Sequence, residues 1–154
     1  MNKEISVFLE NEKSTSELGL KLSKRLTFGL LLFLKGELGT GKTCLVRSIL
    51  ISLGYEGNVK SPSYSLFEQY KIGNKIINHF DLYRFKSPEE WLATGFNDYI
   101  NTRDITIIEW PEKAKNVLCK PDIEIEITYE KEISRRALVK AKSKKGVIVC
   151  KDLL

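Results

Sequence analysis

Apolar residues change their spacing several times along this chain, and each change predicts an element. Ile5 to Leu9 is apolar enough for a first strand. Leu18, Leu22 and Leu26 then recur every fourth position, which places them on one face of a helix. Ser14 and Glu17 form the S-x-x-E box that predicts where this helix begins. Leu30 to Leu34 is apolar throughout and suits a buried strand, while Cys44 to Leu53 suits a helix ended by Gly54. Tyr64 to Tyr70 and Lys75 to Leu82 read as two strands of a hairpin around the turn Gly73-Asn74. Ser87-Pro88-Glu89-Glu90 carries a cap, a proline at the first position and acids in the first turn, and so predicts a helix start. Ile105 to Glu109 is a short apolar strand that ends in a carboxylate, and Pro111 opens a short helix. Ile123 to Tyr129 alternates isoleucine with acids, as a half-exposed strand does. Ala137 to Ala141 and Val147 to Cys150 are expected to complete an antiparallel end. Helices alternate with strands early and strands cluster late, which predicts an α/β domain of three layers with a mixed β-sheet flanked by helices. No repeat, low-complexity tract or linker divides residues 1–154, so one domain is expected.

The residues between the Leu30–Leu34 strand and the next helix bring in chemistry. Gly36-Glu37-Leu38-Gly39-Thr40-Gly41-Lys42-Thr43 fits G-x-x-x-x-G-K-[ST], the phosphate-binding loop. Strand, glycine loop and helix start together make a nest of backbone N–H groups at the positive end of a helix dipole. Glycines let the main chain wrap closely around phosphates. Lys42 is expected to reach the β- and γ-phosphates, and the Thr43 hydroxyl to ligate Mg²⁺. The fold class sharpens to a P-loop NTPase domain that binds a nucleoside triphosphate.

A P-loop needs a second acid at the end of a neighbouring buried strand, because Mg²⁺ bridges the β- and γ-oxygens during hydrolysis. Asp81 and Glu109 both end apolar strands. Glu109 follows the more continuously apolar run and is the candidate metal ligand; Asp81 would position water or the metal's hydration shell. Lys42, Asp81 and Glu109 are thus the candidate catalytic set. His79 is the only histidine and reads as a structural one. Arg84 is open to three roles: an internal arginine finger, a partner contact or a structural ion pair. Trp110 could stack near the nucleotide or belong to a core or an interface.

Composition excludes more than it assigns. At 42% apolar and 29% charged the chain is ordinary for a globular protein, without an apolar run long enough to span a bilayer. Met1 to Ile5 has no signal-peptide core, so the cytoplasm is expected and no membrane partner. Cys44, Cys119 and Cys150 match no zinc or redox spacing. Cys44 lies in the first turn after the P-loop, where a thiol is either lowered in pKa or simply a small buried hydrophobe. The net charge is +5, with Arg135, Arg136, Lys140, Lys142, Lys144 and Lys145 clustered late. Such a run faces RNA or an acidic partner, or is the solvated face of a hairpin.

The Asn-Lys-x-Asp pattern of guanine recognition is absent, because Asn74-Lys75 is followed by Ile76-Ile77. A small-molecule kinase remains an alternative, although Glu112 to Asp122 lacks the arginines of a kinase lid. So does a nucleotide-gated interaction module with negligible hydrolysis.

From Thr15 to Arg136 the chain resembles the TsaE (YjeE) family, small bacterial ATPases of tRNA threonylcarbamoyladenosine formation. Beside the P-loop, the resemblance rests on Asn58-Val59-Lys60-Ser61-Pro62-Ser63-Tyr64-Ser65-Leu66, on His79-Phe80-Asp81-Leu82-Tyr83-Arg84, on Pro88-Glu89-Glu90, on Asp98-Tyr99 and on Ile108-Glu109-Trp110-Pro111. It implies ATP/ADP and Mg²⁺ as ligands, with Thr43 and Glu109 on the metal and Asp81 needed for turnover. It implies that Thr15 joins Gly36, Glu37, Leu38, Gly39, Thr40, Gly41, Lys42, Thr43 and Cys44 around the nucleotide. It implies two protein partners, TsaD and TsaB, with the transferase chemistry in TsaD and tRNA met only through the complex. The ATPase, expected to be slow alone, would drive or reset that complex. Ser63, Ser65 and Cys44 stand where the family usually has threonine, and a thiol is a poor hydrogen-bond donor. Nothing carries over to the basic C-terminal stretch.

Overall fold

The computed structural model describes residues 3–62, 64–151 and 153. Among these residues seven strands form one mixed sheet in the order β1-β7-β6-β2-β5-β4-β3. They are β1 (Lys3–Leu9), β2 (Leu31–Lys35), β3 (Phe67–Ile72), β4 (Lys75–Asp81), β5 (Ile105–Glu109), β6 (Ile123–Tyr129) and β7 (Arg135–Ala141). The centre is parallel: β2 lies between β6 and β5, and β5 pairs onward with β4. Both margins are antiparallel, β3 on β4 at one side and β1 on β7 on β6 at the other. Among the described residues the four helices are α1 (Glu12–Ser23), α2 (Lys42–Ser52), α3 (Glu89–Thr94) and α4 (Lys144–Cys150), with 3₁₀ turns at Phe96–Tyr99 and Pro111–Ala114.

Alternation along the central strands sorts side chains into two cores. Leu30, Leu32 and Leu34 pack with Leu18 and Leu22 of α1 and with Leu45, Ile49 and Leu50 of α2. Val149 and Cys150 of α4 join the same core. Leu31, Phe33, Phe80 and Ile108 point the other way, onto Trp91 of α3 and Ala114. Each fully buried leucine or isoleucine is worth about 1.5–3 kcal/mol of transfer free energy, and the central strands carry several each. This is the three-layer α/β arrangement that the spacing predicts. Among the described residues no helix is long and apolar enough to cross a membrane.

Four local expectations are corrected. The cap of α1 is Asn11, whose side chain accepts from the Ser14 N–H at 3.1 Å, so Ser14 lies inside the helix and starts nothing. Tyr64 to Leu66 is a turn, and β3 begins only at Phe67. At α3 the cap is Pro88, so the proline precedes the first helical residue Glu89 instead of occupying it, and the Glu90 carboxylate reaches back to accept from the Ser87 N–H at 3.2 Å. Val147 to Cys150 is helix, not strand. Ser143 caps it by accepting from the Gly146 N–H at 3.0 Å, while its hydroxyl donates to Asp122 at 2.6 Å. Gly146 lies so close to β6 that an added Cβ would stand 2.0 Å from the Asp122 carbonyl oxygen. Ile148 is exposed whereas Val149 and Cys150 are buried, so α4 turns only one side to the core.

Candidate functional site

The loop from Gly36 to Gly41 joins the C-terminal end of β2 to the first residue of α2, Lys42. Gly36 has φ 147°, and a Cβ there would meet the Ile127 carbonyl oxygen at 2.6 Å and Thr40 Oγ1 at 2.7 Å. Only glycine lets the loop press this closely onto β6. The Thr40 hydroxyl donates to the Glu37 carbonyl at 2.9 Å, and the Tyr129 hydroxyl donates to the Leu38 carbonyl from the far side. These bonds hold the loop shape from within and from the neighbouring strand.

Lys42 is buried, and its ammonium donates to the carbonyls of Gly36 and of Glu37, the latter at 3.0 Å. It also stands 4.5 Å above the Trp110 ring. Burial pushes its pKa below the usual lysine value, against the pull of Glu109 and Asp81. Trp110 holds φ 58°, a left-handed conformation that costs a bulky residue of order 1 kcal/mol or more. Its N–H donates to the Leu34 carbonyl at 3.2 Å, which ties the strained residue to the strand that feeds the loop.

Asp81 and Glu109 end adjacent parallel strands and are register partners. Both line one cavity of about 250 Å³ together with Leu38, Gly39, Gly41, Lys42, Thr43, Cys44, Ser61 and Trp110. Asp81 Oδ1 accepts from the Tyr83 N–H at 3.0 Å. Burial raises the Asp81 carboxyl above its ordinary value, with the Tyr83 bond opposing and the Glu109 charge adding to the rise. Glu109 Oε2 lies 2.6 Å from His79 Nε2.

A second cavity of about 460 Å³ adjoins the first through Gly39, Gly41 and Cys44, and is lined further by Asn11, Glu12, Thr15, Thr40, Ile133 and Arg135. Thr15 is buried beside the loop; a Cβ on Gly41 would meet its Cγ2 at 3.8 Å. The structure thus gathers Lys42, Thr43, Cys44, Asp81 and Glu109 at one cavity and Thr15 at its neighbour. Gly36, Glu37 and Thr40 line the opposite side of the loop, against β6.

Other expectations fare differently. Cys44 is half-buried with its Sγ 3.9 Å from Ser16 Oγ, and burial pushes its thiol up, which favours the small buried hydrophobe over the lowered pKa. Arg84 stacks over the Tyr64 ring at 4.4 Å. Arg136 pairs with Glu130 at 3.0 Å and Lys140 with Glu4 at 3.9 Å, the pattern of a solvated sheet face. Ser63 lies outside the described residues. Sequence reasoning missed His79 as a neighbour of Glu109, and it counted Arg135 with the basic run although it lines the second cavity. No local pattern points to either, since their partners are remote in the chain.

Comparison with known proteins then adds the family. The family model described as "Threonylcarbamoyl adenosine biosynthesis protein TsaE" matches residues 9–138. The tRNA threonylcarbamoyladenosine biosynthesis protein TsaE of Haemophilus influenzae is 46% identical over 117 residues, covering 76% of this chain and 73% of that one. The protein of the same name from Rickettsia felis is 35% identical over 144 residues, covering 93% and 84%. Among solved structures, Bacillus subtilus YdiB superposes with a TM-score of 0.85 over 99% of this chain and 95% of its own, at 22% identity, which is a likeness of fold.

Proposed function

The chain belongs to the TsaE family, and on that premise we propose that it is a Mg²⁺-dependent ATPase of threonylcarbamoyl adenosine formation in tRNA. The observation that carries this is the single cavity shared by the P-loop residues Lys42 and Thr43 and the strand-end carboxylates Asp81 and Glu109. The proposal treats residues 1–154 as one domain, which a single sheet pairing β1 with β7 supports, and places it in the cytoplasm.

The donors around the cavity suit the cation. A threonine hydroxyl and two carboxylates are hard oxygen ligands of the kind Mg²⁺ takes. Among the described residues no group of three or more His, Cys, Asp or Glu could hold an ion alone. That matches a site in which one or two protein oxygens share the ion with substrate phosphates. Thr43 and Glu109 would hold it, and when bound it supplies charge neutralisation at the phosphate oxygens.

Lys42 would exchange its two loop carbonyls for phosphate oxygens, a charge-assisted contact. Asp81 would orient the attacking water and accept its proton. Trp110 closes one wall over Lys42 and limits water there. Thr15, Ile133 and Arg135 would flank the rest of the nucleotide in the second cavity. The partners are TsaD and TsaB, with turnover slow until they bind and tRNA met only through them.

Incubation with ATP and Mg²⁺, with and without the TsaD–TsaB pair, tests the proposal. Phosphate release that rises with the partners is expected. A phosphorylated metabolite would make the chain a kinase, and tight ATP binding without turnover would make it a binding module.

A further inference from the structure

We propose that His79 is a positioning residue, which acts through Glu109 by holding that carboxylate so that one oxygen faces the phosphate cavity. The inference rests on the proposal that Glu109 is a metal ligand.

His79 lies on β4 two residues before Asp81, on the same face of the sheet, with Ile107 of β5 as its register partner. It is fully buried, and the Glu109 side chain is 3% exposed. His79 lines neither cavity of the site, whereas Glu109 lines the smaller one. The contact between them, His79 Nε2 to Glu109 Oε2, is 2.6 Å. Such a contact between an imidazole nitrogen and a carboxylate oxygen needs one hydrogen between them. His79 Nδ1 is buried and has no hydrogen-bond partner among the described residues. A hydrogen on Nδ1 would be buried without an acceptor, so the tautomer assigned by its surroundings carries the hydrogen on Nε2 and donates it to Glu109. Oε2 is thereby occupied from behind, which leaves Oε1 for the cavity.

Packing does not explain this histidine. Its neighbours along the same face, Ile77, Ile105 and Ile107, belong to an apolar core, and a leucine would fill the place without an unmet polar atom. A buried polar group kept with half its capacity unused, and the other half spent on one carboxylate, points to that carboxylate as its purpose. Residues that orient a metal-binding group in this way commonly change metal affinity 10- to 100-fold when removed.

The test is ADP binding by calorimetry over a range of Mg²⁺, and again in EDTA. His79→Leu is expected to raise the Mg²⁺ needed for half its effect by about 10- to 100-fold, with affinity in EDTA unchanged. His79→Gln, whose amide NH₂ reaches about as far as Nε2, is expected to recover most of the loss. In a Glu109→Gln background, His79→Leu is expected to add no further shift. If circular dichroism shows the leucine variant unfolded, His79→Asn replaces it, since its shorter amide stops short of Oε2. An unchanged Mg²⁺ requirement in the leucine or asparagine variant, beside a shifted one in Glu109→Gln, overturns the positioning role alone. A full additional shift in the double variant overturns it too, because His79 would then act elsewhere. An unchanged requirement in Glu109→Gln itself overturns the metal role of Glu109, and this inference with it.

Discussion

Lys42 and Asp81 are charged groups held in partly buried places, and burial shifts the pKa of each against its charged form. Lys42 is a buried cation that the loop carbonyls satisfy in part. On the proposed function, Lys42→Ala would remove a charge-assisted phosphate contact worth about 1.5–3 kcal/mol, and a roughly ten- to hundred-fold loss of ATP affinity is expected. Calorimetry that finds the wild-type affinity in this variant would remove the P-loop from the function. Asp81 gives a pH test in the absence of nucleotide and Mg²⁺. Its folded pKa is raised above the ordinary 3.8, first by burial. Between 3.8 and the raised value the folded protein holds more protons than the unfolded chain, so this group's contribution to stability falls as pH rises through that window. Above the window the folded state bears the full cost of the buried charge. Asp81→Asn keeps an acceptor for the Tyr83 N–H and drops the charge. Its Tm is expected to exceed wild type at pH 7, with the gap closing as pH falls toward 3.8. A gap that is constant across pH would mean that burial of this charge carries no cost. The placement of the P-loop, Asp81 and Glu109 around one cavity was legible because it rests on local pattern: a glycine motif and two carboxylates at the ends of apolar runs. His79 and Arg135 were not, because each acquires its place only when strands distant in sequence pair.

Helix ends were the least legible elements, and their errors share one cause. Ser14-x-x-Glu17 predicts a start at Ser14, yet the chain caps α1 at Asn11, two residues after the end of β1, where its side chain accepts from the Ser14 N–H. Asn11→Ala is expected to destabilise the fold by about 1 kcal/mol in urea unfolding. Val147-Ile148-Val149 is β-branched and reads as strand, yet the decision is tertiary. Asp122 anchors the Ser143 hydroxyl and its carbonyl accepts from the Lys142 N–H at 2.7 Å, which turns the chain away from the sheet edge. Gly146 then fits where no side chain does. Gly146→Ala is therefore expected to destabilise by about 1–3 kcal/mol, the range for overpacking, while nucleotide affinity stays normal. A urea midpoint equal to wild type would show that α4 can shift without cost. The central strands, by contrast, were legible nearly to the residue. Ile105–Glu109 and Ile123–Tyr129 have patterns that one pairing scheme satisfies on both faces.

At the scale of the molecule, the site has two routes to the surface. Lys42 touches the Trp110 ring at 4.5 Å, and Trp110 meets Tyr83, itself partly exposed, at 5.0 Å. Ser61 lines the phosphate cavity, and three residues later Tyr64 is 86% exposed with the Arg84 guanidinium 4.4 Å above its ring. Between α2 and β3 the chain thus has Ser61 at the phosphate cavity and Tyr64 at an aromatic surface. Loops so placed order around a γ-phosphate and relax on its loss. If Ser61 to Leu66 works in this way, the TsaD–TsaB pair should bind the two nucleotide states of this chain with different affinity. A difference of about 1–3 kcal/mol, some 5- to 150-fold, is the usual size of such a coupling. Linkage then requires the partners to shift the chain's own preference between ATP and ADP by the same factor, a second measurement that must agree with the first. Tyr64→Ala should shrink both numbers together, because it removes the exposed end of the route and leaves the cavity intact. Equal partner affinity with a non-hydrolysable ATP analogue and with ADP would show that the segment is an ordinary connection into the hairpin of β3 and β4.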